Sequence, residues 1–295
     1  MDLVTPAYQA AAAVAQRLPR PIVEGLGPQA AGLWSLRPSE QRKMVASHQR
    51  RVQPGLDGPD LRRQVAAVYR SYGRYWAESF RLPAVSPDEL DQRLTVEGYE
   101  HIERAMDRGL GPIAVLPHMG SWEWCAYWLT RVQGIAVTAV VEQLAPPALF
   151  AWFQEYRRRI GMEIVPLGPG AAREVTRALK AKHIIALLSD RDIAGGGVAV
   201  EFFGEKTTLP AGPATLALRT GAALLPVGIY DGRDGAHHGI VRPPLPTDRT
   251  GSLREDVARV TQDMARAFEE LIRLAPDQWH LLQPNWPSDH GGVRL

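Results

Sequence analysis

The amino-acid sequence predicts an α/β protein: a mainly parallel central sheet flanked by helices, with helical N-terminal segments. Two patterns carry that prediction. From Leu94 onward, short apolar runs alternate with longer helical ones, as in parallel strands joined by crossover helices. Residues 1–92 show helical texture alone. A third observation supports a folded core: 45% of the 295 residues are hydrophobic and 22% are charged, which excludes a disordered chain. One domain over 1–295 is expected, with a helical N-terminal segment, residues 1–92, packed on an α/β body of 93–295.

The elements follow in order. Pro38-Ser39-Glu40 offers an N-cap to a helix running towards Val52. Gly58-Pro59-Asp60 opens a longer helix, whose positions Val65, Val68, Tyr72, Tyr75, Trp76 and Phe80 form a helical stripe. Pro83 stops it. Strands are predicted at 113–116, 135–141, 163–167, 183–188, 198–203 and 223–230. Between them, helices are predicted at 99–108, 122–132, 147–160, 171–180 and 213–220. A last helix, 253–274, starts after Ser252 and ends before Pro276.

Charge and composition exclude several function classes. Lys+Arg is 34 against Asp+Glu 32, so the basic excess of a dedicated nucleic-acid binder is missing. A single Cys excludes an intrachain disulfide and fits a reducing compartment. The Ala-rich run 8–14 is too short to cross a bilayer and lacks the flanks of a secretion signal. The mature chain is therefore expected to start at Met1 and to stay in the cytoplasm. Binding to a membrane surface needs only an amphipathic face and remains open.

The chemistry concentrates in Leu116-Pro117-His118-Met119-Gly120-Ser121-Trp122-Glu123, which follows a strand and opens a helix. A side chain at the C-terminal end of such a strand sits over the usual ligand crevice. Ser121 is placed to cap the helix, and Glu123 falls in its first turn. A His-x4-acid pair alone is weak evidence: with 8 His and 32 acids, about one is expected by chance. His118 is the histidine that has one. The plain alternative is a turn histidine bonded to its own loop. Gly168-Pro169-Gly170 lacks the third glycine of a phosphate-binding turn, His237 and His238 read as surface residues, and no spacing resembles a zinc site.

Residues 116–123 resemble the His-x4-acid motif of glycerolipid acyltransferases. The wording is similar to that of the lauroyl/myristoyl acyltransferases of lipid A biosynthesis. It is closer still to their actinobacterial relatives, the phosphatidylinositol mannoside acyltransferases. Further blocks share the resemblance: Tyr75-Trp76 with Phe80-Arg81-Leu82-Pro83, and Ser189-Asp190-Arg191-Asp192. So do Val200-Glu201-Phe202-Phe203-Gly204-Glu205, Leu209-Pro210-Ala211-Gly212-Pro213-Ala214 and Trp279-His280-Leu281-Leu282-Gln283-Pro284. Glu123 departs from the Asp common in the closest relatives, and Asp190 from the Glu of some.

The resemblance implies transfer of a long acyl chain from acyl-CoA, as donor substrate, to a sugar hydroxyl of a membrane glycolipid. A mannose of phosphatidylinositol mannoside is the expected acceptor. No other cofactor and no metal are expected. His118 is the implied base, and histidine titrates near neutrality as that task requires. Glu123 and Asp190 both remain candidates to orient it, Asp190 first. Glu142, Arg157, Arg191 and Asp192 are the implied substrate-binding residues. The Arg157-Arg158-Arg159 run also reads as a partly solvated helix face.

A thioester is already activated, so no covalent nucleophile is needed. The sequence has no Gly-x-Ser-x-Gly elbow, and Cys125 reads as a small core residue. Backbone N–H groups at the helix start after His118 are placed to meet the oxyanion. The implied location is the cytoplasmic face of the plasma membrane, bound peripherally to anionic lipid. Trp34, Leu36, Arg37, Arg42, Lys43, Arg50 and Arg51 are the expected contact. Rival readings are another glycolipid or lysophospholipid acceptor, a thioesterase, or a non-catalytic lipid-binding protein on the same fold.

Overall fold

The computed structural model of the protein describes residues 4–143, 145–193 and 195–290; the expected start at Met1 lies outside them. Four helices come first: α1 (Val4–Arg17), α2 (Arg20–Trp34), α3 (Glu40–Val52) and α4 (Gly58–Arg81). Ser39 caps α3 as its sequence implies, accepting the Arg42 N–H at 3.1 Å. Helices α2 and α4 meet at small residues. A Cβ on Gly73 would lie 2.6 Å from both the Ala31 Cβ and the Gly27 carbonyl oxygen, so only glycine permits this approach. None of the helices, among the described residues, is long and apolar enough to cross a membrane.

After a short helix, α5 (Pro87–Gln92), the chain alternates. It runs through β1 (Leu94–Glu97), α6 (Glu100–Asp107), β2 (Ile113–Leu116), α7 (Trp122–Arg131) and β3 (Val137–Val141). Then come α8 (Pro147–Arg159), β4 (Met162–Pro166), α9 (Ala171–Lys180) and β5 (Ile184–Leu188). A hairpin follows, β6 (Val198–Phe202) and β7 (Glu205–Leu209), before α10 (Gly212–Thr220), β8 (Leu224–Asp231), β9 (His237–Val241) and α11 (Leu253–Leu274). Ser252 and Glu255 form a reciprocal capping box that fixes the start of α11.

Among the described residues the central sheet has seven strands in the order β1-β9-β8-β2-β5-β3-β4. Five of them, from β8 to β4, run parallel. Strand β9 is antiparallel to β8, and β1 is parallel to β9. The mainly parallel α/β class expected from the sequence is thus the observed one. Three strands were not expected: β1, β7 and β9. The predicted strand 198–203 pairs with polar β7 as a separate hairpin. His237 does not lie at the surface: it is buried on β9, which is paired on both edges, while His238 points to the exposed side.

Alternation along the strands makes two cores. In β2, Ala114 and Leu116 face the side covered by α6, α7 and α8, while Ile113 and Val115 face α9, α10 and α11. Chain direction reverses at β2 and β5. From β2 the chain crosses by α7 towards β3, and from β5 it leaves through the hairpin and α10 towards β8. The crevice beyond these two strand ends is the position where open α/β sheets bind ligands.

The loop after β2 is held tightly. Gly120 has φ +55°, and a Cβ there would lie 2.1 Å from the Ile229 carbonyl oxygen. Gly134 also has a positive φ, +66°, but open space around it. Gly134→Ala should therefore cost only the left-handed strain, about 1–2 kcal/mol. Gly120→Ala adds an overlap with backbone and should cost about 2–5 kcal/mol in denaturant unfolding, because β8 must move to admit the methyl group. Equal losses for the two variants would contradict this close approach.

Candidate active site

Register places the central pair. Strands β2 and β5 align Leu116 with Leu188, so His118 and Asp190 come level, each two residues beyond its strand. The His118 N–H donates to Asp190 Oδ2 at 2.9 Å, and His118 Nδ1 lies 2.5 Å from Asp190 Oδ1. Trp279 Nε1–H donates to Oδ2 at 2.8 Å. Asp190 is fully buried, whereas the His118 side chain is 36% exposed. Burial works against the Asp190 charge, but His118 and Trp279 outweigh it and hold the carboxyl below its ordinary range. A charged Asp190 fixes the proton on Nδ1 and leaves Nε2 with its lone pair, the form a general base needs.

Glu123 turns away from this pair. Its Oε1 accepts from Tyr75 Oη–H and from Arg157 Nη2–H, each at 3.1 Å. Arg157 is packed over the rings of Trp122 and Phe153. Burial raises the Glu123 carboxyl, and Arg157 opposes that rise. Arg157 thus serves a buried ion pair, while Arg158 and Arg159 are exposed, as a solvated helix face requires. Of the two acids weighed in the sequence, Asp190 is the one bonded to His118.

The remaining expected residues lie around a cavity of about 410 Å³, whose lining includes Ser189 and Arg191, the chain neighbours of Asp190. Its walls are largely apolar, including Val140, Leu187 and Leu216, with Glu142, Arg191 and Asp192 among the polar lining. Glu142 is exposed, and Arg191 is half-buried with no ion-pair partner among the described residues. The Asp192 carboxylate is committed to its own loop: it accepts from Gly195 N–H at 3.1 Å, Gly197 N–H at 2.7 Å and the Thr208 hydroxyl at 3.1 Å.

The turn itself departs from the expected capping. Ser121 does not cap α7; its hydroxyl donates to Glu78 Oε2 at 2.5 Å, and its N–H donates to Asp231 Oδ1 at 3.1 Å. The N–H groups of Met119 and Gly120 donate to Pro117 and Gln278 carbonyls. These three donors of the turn are consumed and are not free to meet an oxyanion. Sequence reasoning gave no role to Trp279, Glu78 or Asp231 and took His237 for a surface residue. Glu78, Asp231 and His237 are buried and could present metal-ligating atoms within 4.8 Å of one another. They come from α4, β8 and β9, so no local spacing reveals them. A carboxylate ending the long apolar strand β8 was the available signal.

A partly exposed histidine bonded to a fully buried carboxylate, at the switch point of a mainly parallel sheet, is a frame for acyl chemistry. The sequence model of the bacterial lipid A biosynthesis acyltransferases matches residues 5–288; the chain belongs to that family and is an acyltransferase. It is 39% identical over 231 residues to a phosphatidylinositol mannoside acyltransferase of Mycobacterium tuberculosis (strain ATCC 25618 / H37Rv), covering 76% of this chain and 71% of the relative. It is 40% identical over 240 residues to a protein of the same name from Mycolicibacterium smegmatis, covering 80% of this chain and 76% of the relative. The family resemblance drawn from the sequence is borne out.

Removing one half of the Glu123–Arg157 pair strands the other in the interior. Arg157→Ala should destabilise the fold by about 3–5 kcal/mol, whereas Arg157→Met combined with Glu123→Leu should recover most of that loss. Urea unfolding of the single and double variants measures the difference. A double variant no more stable than Arg157→Ala would contradict it.

Proposed function

We propose that the protein transfers a long-chain acyl group from acyl-CoA to a sugar hydroxyl of a membrane glycolipid, a mannose of a phosphatidylinositol mannoside. The observation that carries this reading is the His118–Asp190 pair, with one ring nitrogen engaged and the ring still partly exposed. In this reading His118 Nε2 takes the proton of the acceptor hydroxyl as its oxygen attacks the thioester carbonyl carbon. Asp190 stabilises the imidazolium that forms. Collapse of the tetrahedral intermediate breaks the carbon–sulfur bond. The coenzyme A sulfur then takes the proton back from His118, giving an ester and a free thiol. No covalent enzyme intermediate is needed, because the donor is already activated.

The rest of the proposal follows from chemistry near the pair. An apolar cavity with few polar groups suits an acyl chain. The Arg191 guanidinium at that cavity suits a phosphate of the donor or acceptor. Glu142 suits the sugar hydroxyls of the acceptor. With Asp192 committed to its loop and Arg157 to Glu123, their contribution is to shape the site. The mannose acceptor is supported by the names of the relatives at 39–40% identity.

The proposed acceptor lipid belongs to a membrane, and we infer that the protein binds anionic bilayer surfaces peripherally, at the cytoplasmic face of the plasma membrane. Helix α2 and the turn after it expose Leu26 (62%), Leu33 (68%), Trp34 (56%) and Leu36 (70%). The Arg37 guanidinium lies 4.4 Å over the Trp34 ring, which sets a cation beside this apolar face. Lys43 and Arg50 are exposed nearby in sequence, each paired with an acid. Arg51 is not available to lipid: it bonds Glu205 and Asp289 and covers Trp286.

Two experiments check the proposal. His118→Ala should lower transfer by about 10²–10⁴-fold without unfolding the protein. Asp190→Asn should depress kcat more than it raises the acceptor KM. The assay is acyl-CoA with phosphatidylinositol mannoside and a panel of other glycolipids, read by mass spectrometry of products; donor hydrolysis without acceptor reports a thioesterase. A folded His118→Ala enzyme with ordinary turnover overturns the assignment. In flotation with anionic vesicles, replacing Leu33, Trp34 and Leu36 by serine should weaken binding at least about tenfold. Unchanged flotation would move the contact elsewhere.

A further inference from the structure

The turn that carries His118 is gripped from behind by groups that take no part in the proton transfer. Ser121 gives its N–H to Asp231 and its hydroxyl to Glu78. Gln278 fixes the same turn indirectly. It exchanges two hydrogen bonds with the Asp231 backbone, at 2.7 and 2.8 Å, and its own carbonyl accepts the Gly120 N–H at 3.2 Å. The His118 carbonyl in turn accepts the His280 N–H at 2.7 Å.

Behind Ser121 the two carboxylates share a closed pocket with His237. His237 Nδ1 lies 3.2 Å from Asp231 Oδ1, and its ring stacks on Trp124 at 4.3 Å. Its Nε2 lies 3.9 Å from Glu78 Oε2. All three side chains are buried, and among the described residues Glu78 Oε1, Asp231 Oδ2 and His237 Nε2 have no hydrogen-bond partner. Two acids in such a pocket cannot both ionise cheaply. Burial and the Asp231 charge push Glu78 up to about 8, while His237 and Ser121 help to hold Asp231 low against its burial. Glu78 is then neutral at physiological pH, and Asp231 carries the charge. Apolar side chains would fill this space at lower cost.

We propose that Glu78 and Asp231 are positioning residues for acyl transfer: by holding Ser121 they fix the turn on which His118 meets Asp190. This rests on the reading of His118 as the base. Glu78 Oε2 is engaged by Ser121, and Asp231 Oδ1 by Ser121 and His237, so these bonds form a brace behind the turn. A base displaced by a fraction of an ångström loses rate while substrate binding is kept, since binding draws on other surfaces.

The test measures kcat and both KM values for Ser121→Ala, Glu78→Leu and Glu78→Gln, alone and in the Asp190→Asn background, with thermal midpoints recorded. Ser121→Ala removes one oxygen, so it keeps the test open if Glu78→Leu fails to fold. Ser121→Ala and Glu78→Leu should lower kcat about 10–100-fold, with KM values within about twofold. Glu78→Gln keeps an acceptor for the Ser121 hydroxyl and should recover kcat to within about threefold of the parent. Once Asp190→Asn has broken the pair, Ser121→Ala should cost less than about threefold more, because both act through His118. Unchanged kcat in folded Ser121→Ala, a loss confined to KM, or full additivity with Asp190→Asn would overturn the positioning role and leave the base assignment standing. An active His118→Ala enzyme would overturn both.

Discussion

Strand register is what brings His118 and Asp190 within reach of each other. Parallel pairing of β2 with β5 matches Leu116 to Leu188, and each strand leaves the sheet at the next residue. The two residues that follow the exits are then neighbours by backbone geometry alone. The same carboxylate that accepts the imidazole Nδ1–H also accepts the His118 main-chain N–H. Position and protonation state of the ring are set together. A fully buried charge is tolerable only where its lone pairs are filled, and Trp279 completes that requirement from the far end of the chain.

Three carboxylates around this loop show how environment divides identical chemistry. Asp190 is surrounded by donors and a histidine and stays ionised. Glu123 is buried against one arginine and becomes a structural tie between α7 and α8. Glu78 faces another acid and is pushed towards its neutral form. The acid that completes the His-x4-acid spacing is therefore not the acid that touches the histidine. Spacing along a helix start directs Glu123 to the face carrying Tyr75 and Arg157, away from the strand ends.

Much of this was legible in the residues. Continuous apolar runs such as 113–116 and 184–188 are what doubly covered parallel strands require, and they were expected as strands. The position of His118 and Asp190 past those runs made them candidates. The strands that escaped notice have physical reasons to look unlike strands. His237-His238-Gly239 in β9 is polar and carries a glycine, yet its backbone is satisfied by neighbours on both sides. Strand β7 is polar in all but its last residue and lies in a hairpin outside the main sheet. Glu78 and Asp231 were hidden for a different cause: their significance is a contact between α4 and β8 across 43 and 110 residues from Ser121, and such a contact has no local period. Arg51, expected at the membrane, was misjudged because Glu205 and Asp289 are equally remote from it in sequence.

The segment 276–290 crosses the top of the sheet and supplies Gln278, Trp279, the His280 N–H and Asn285 to the loops around His118 and Asp190. It is fastened there by Asp289, which accepts from the Asn285 and Trp286 N–H groups and pairs with His48 and Arg51 of α3. Of the described residues these are the last to leave the ribosome. A nascent chain can therefore build every strand and still leave Asp190 without its indole cover and the histidine loop without its tether. The complete surroundings of the pair then depend on a segment synthesised after every strand of the sheet. A chain cut short before residue 276 would hold every strand of the sheet and an unfinished pair.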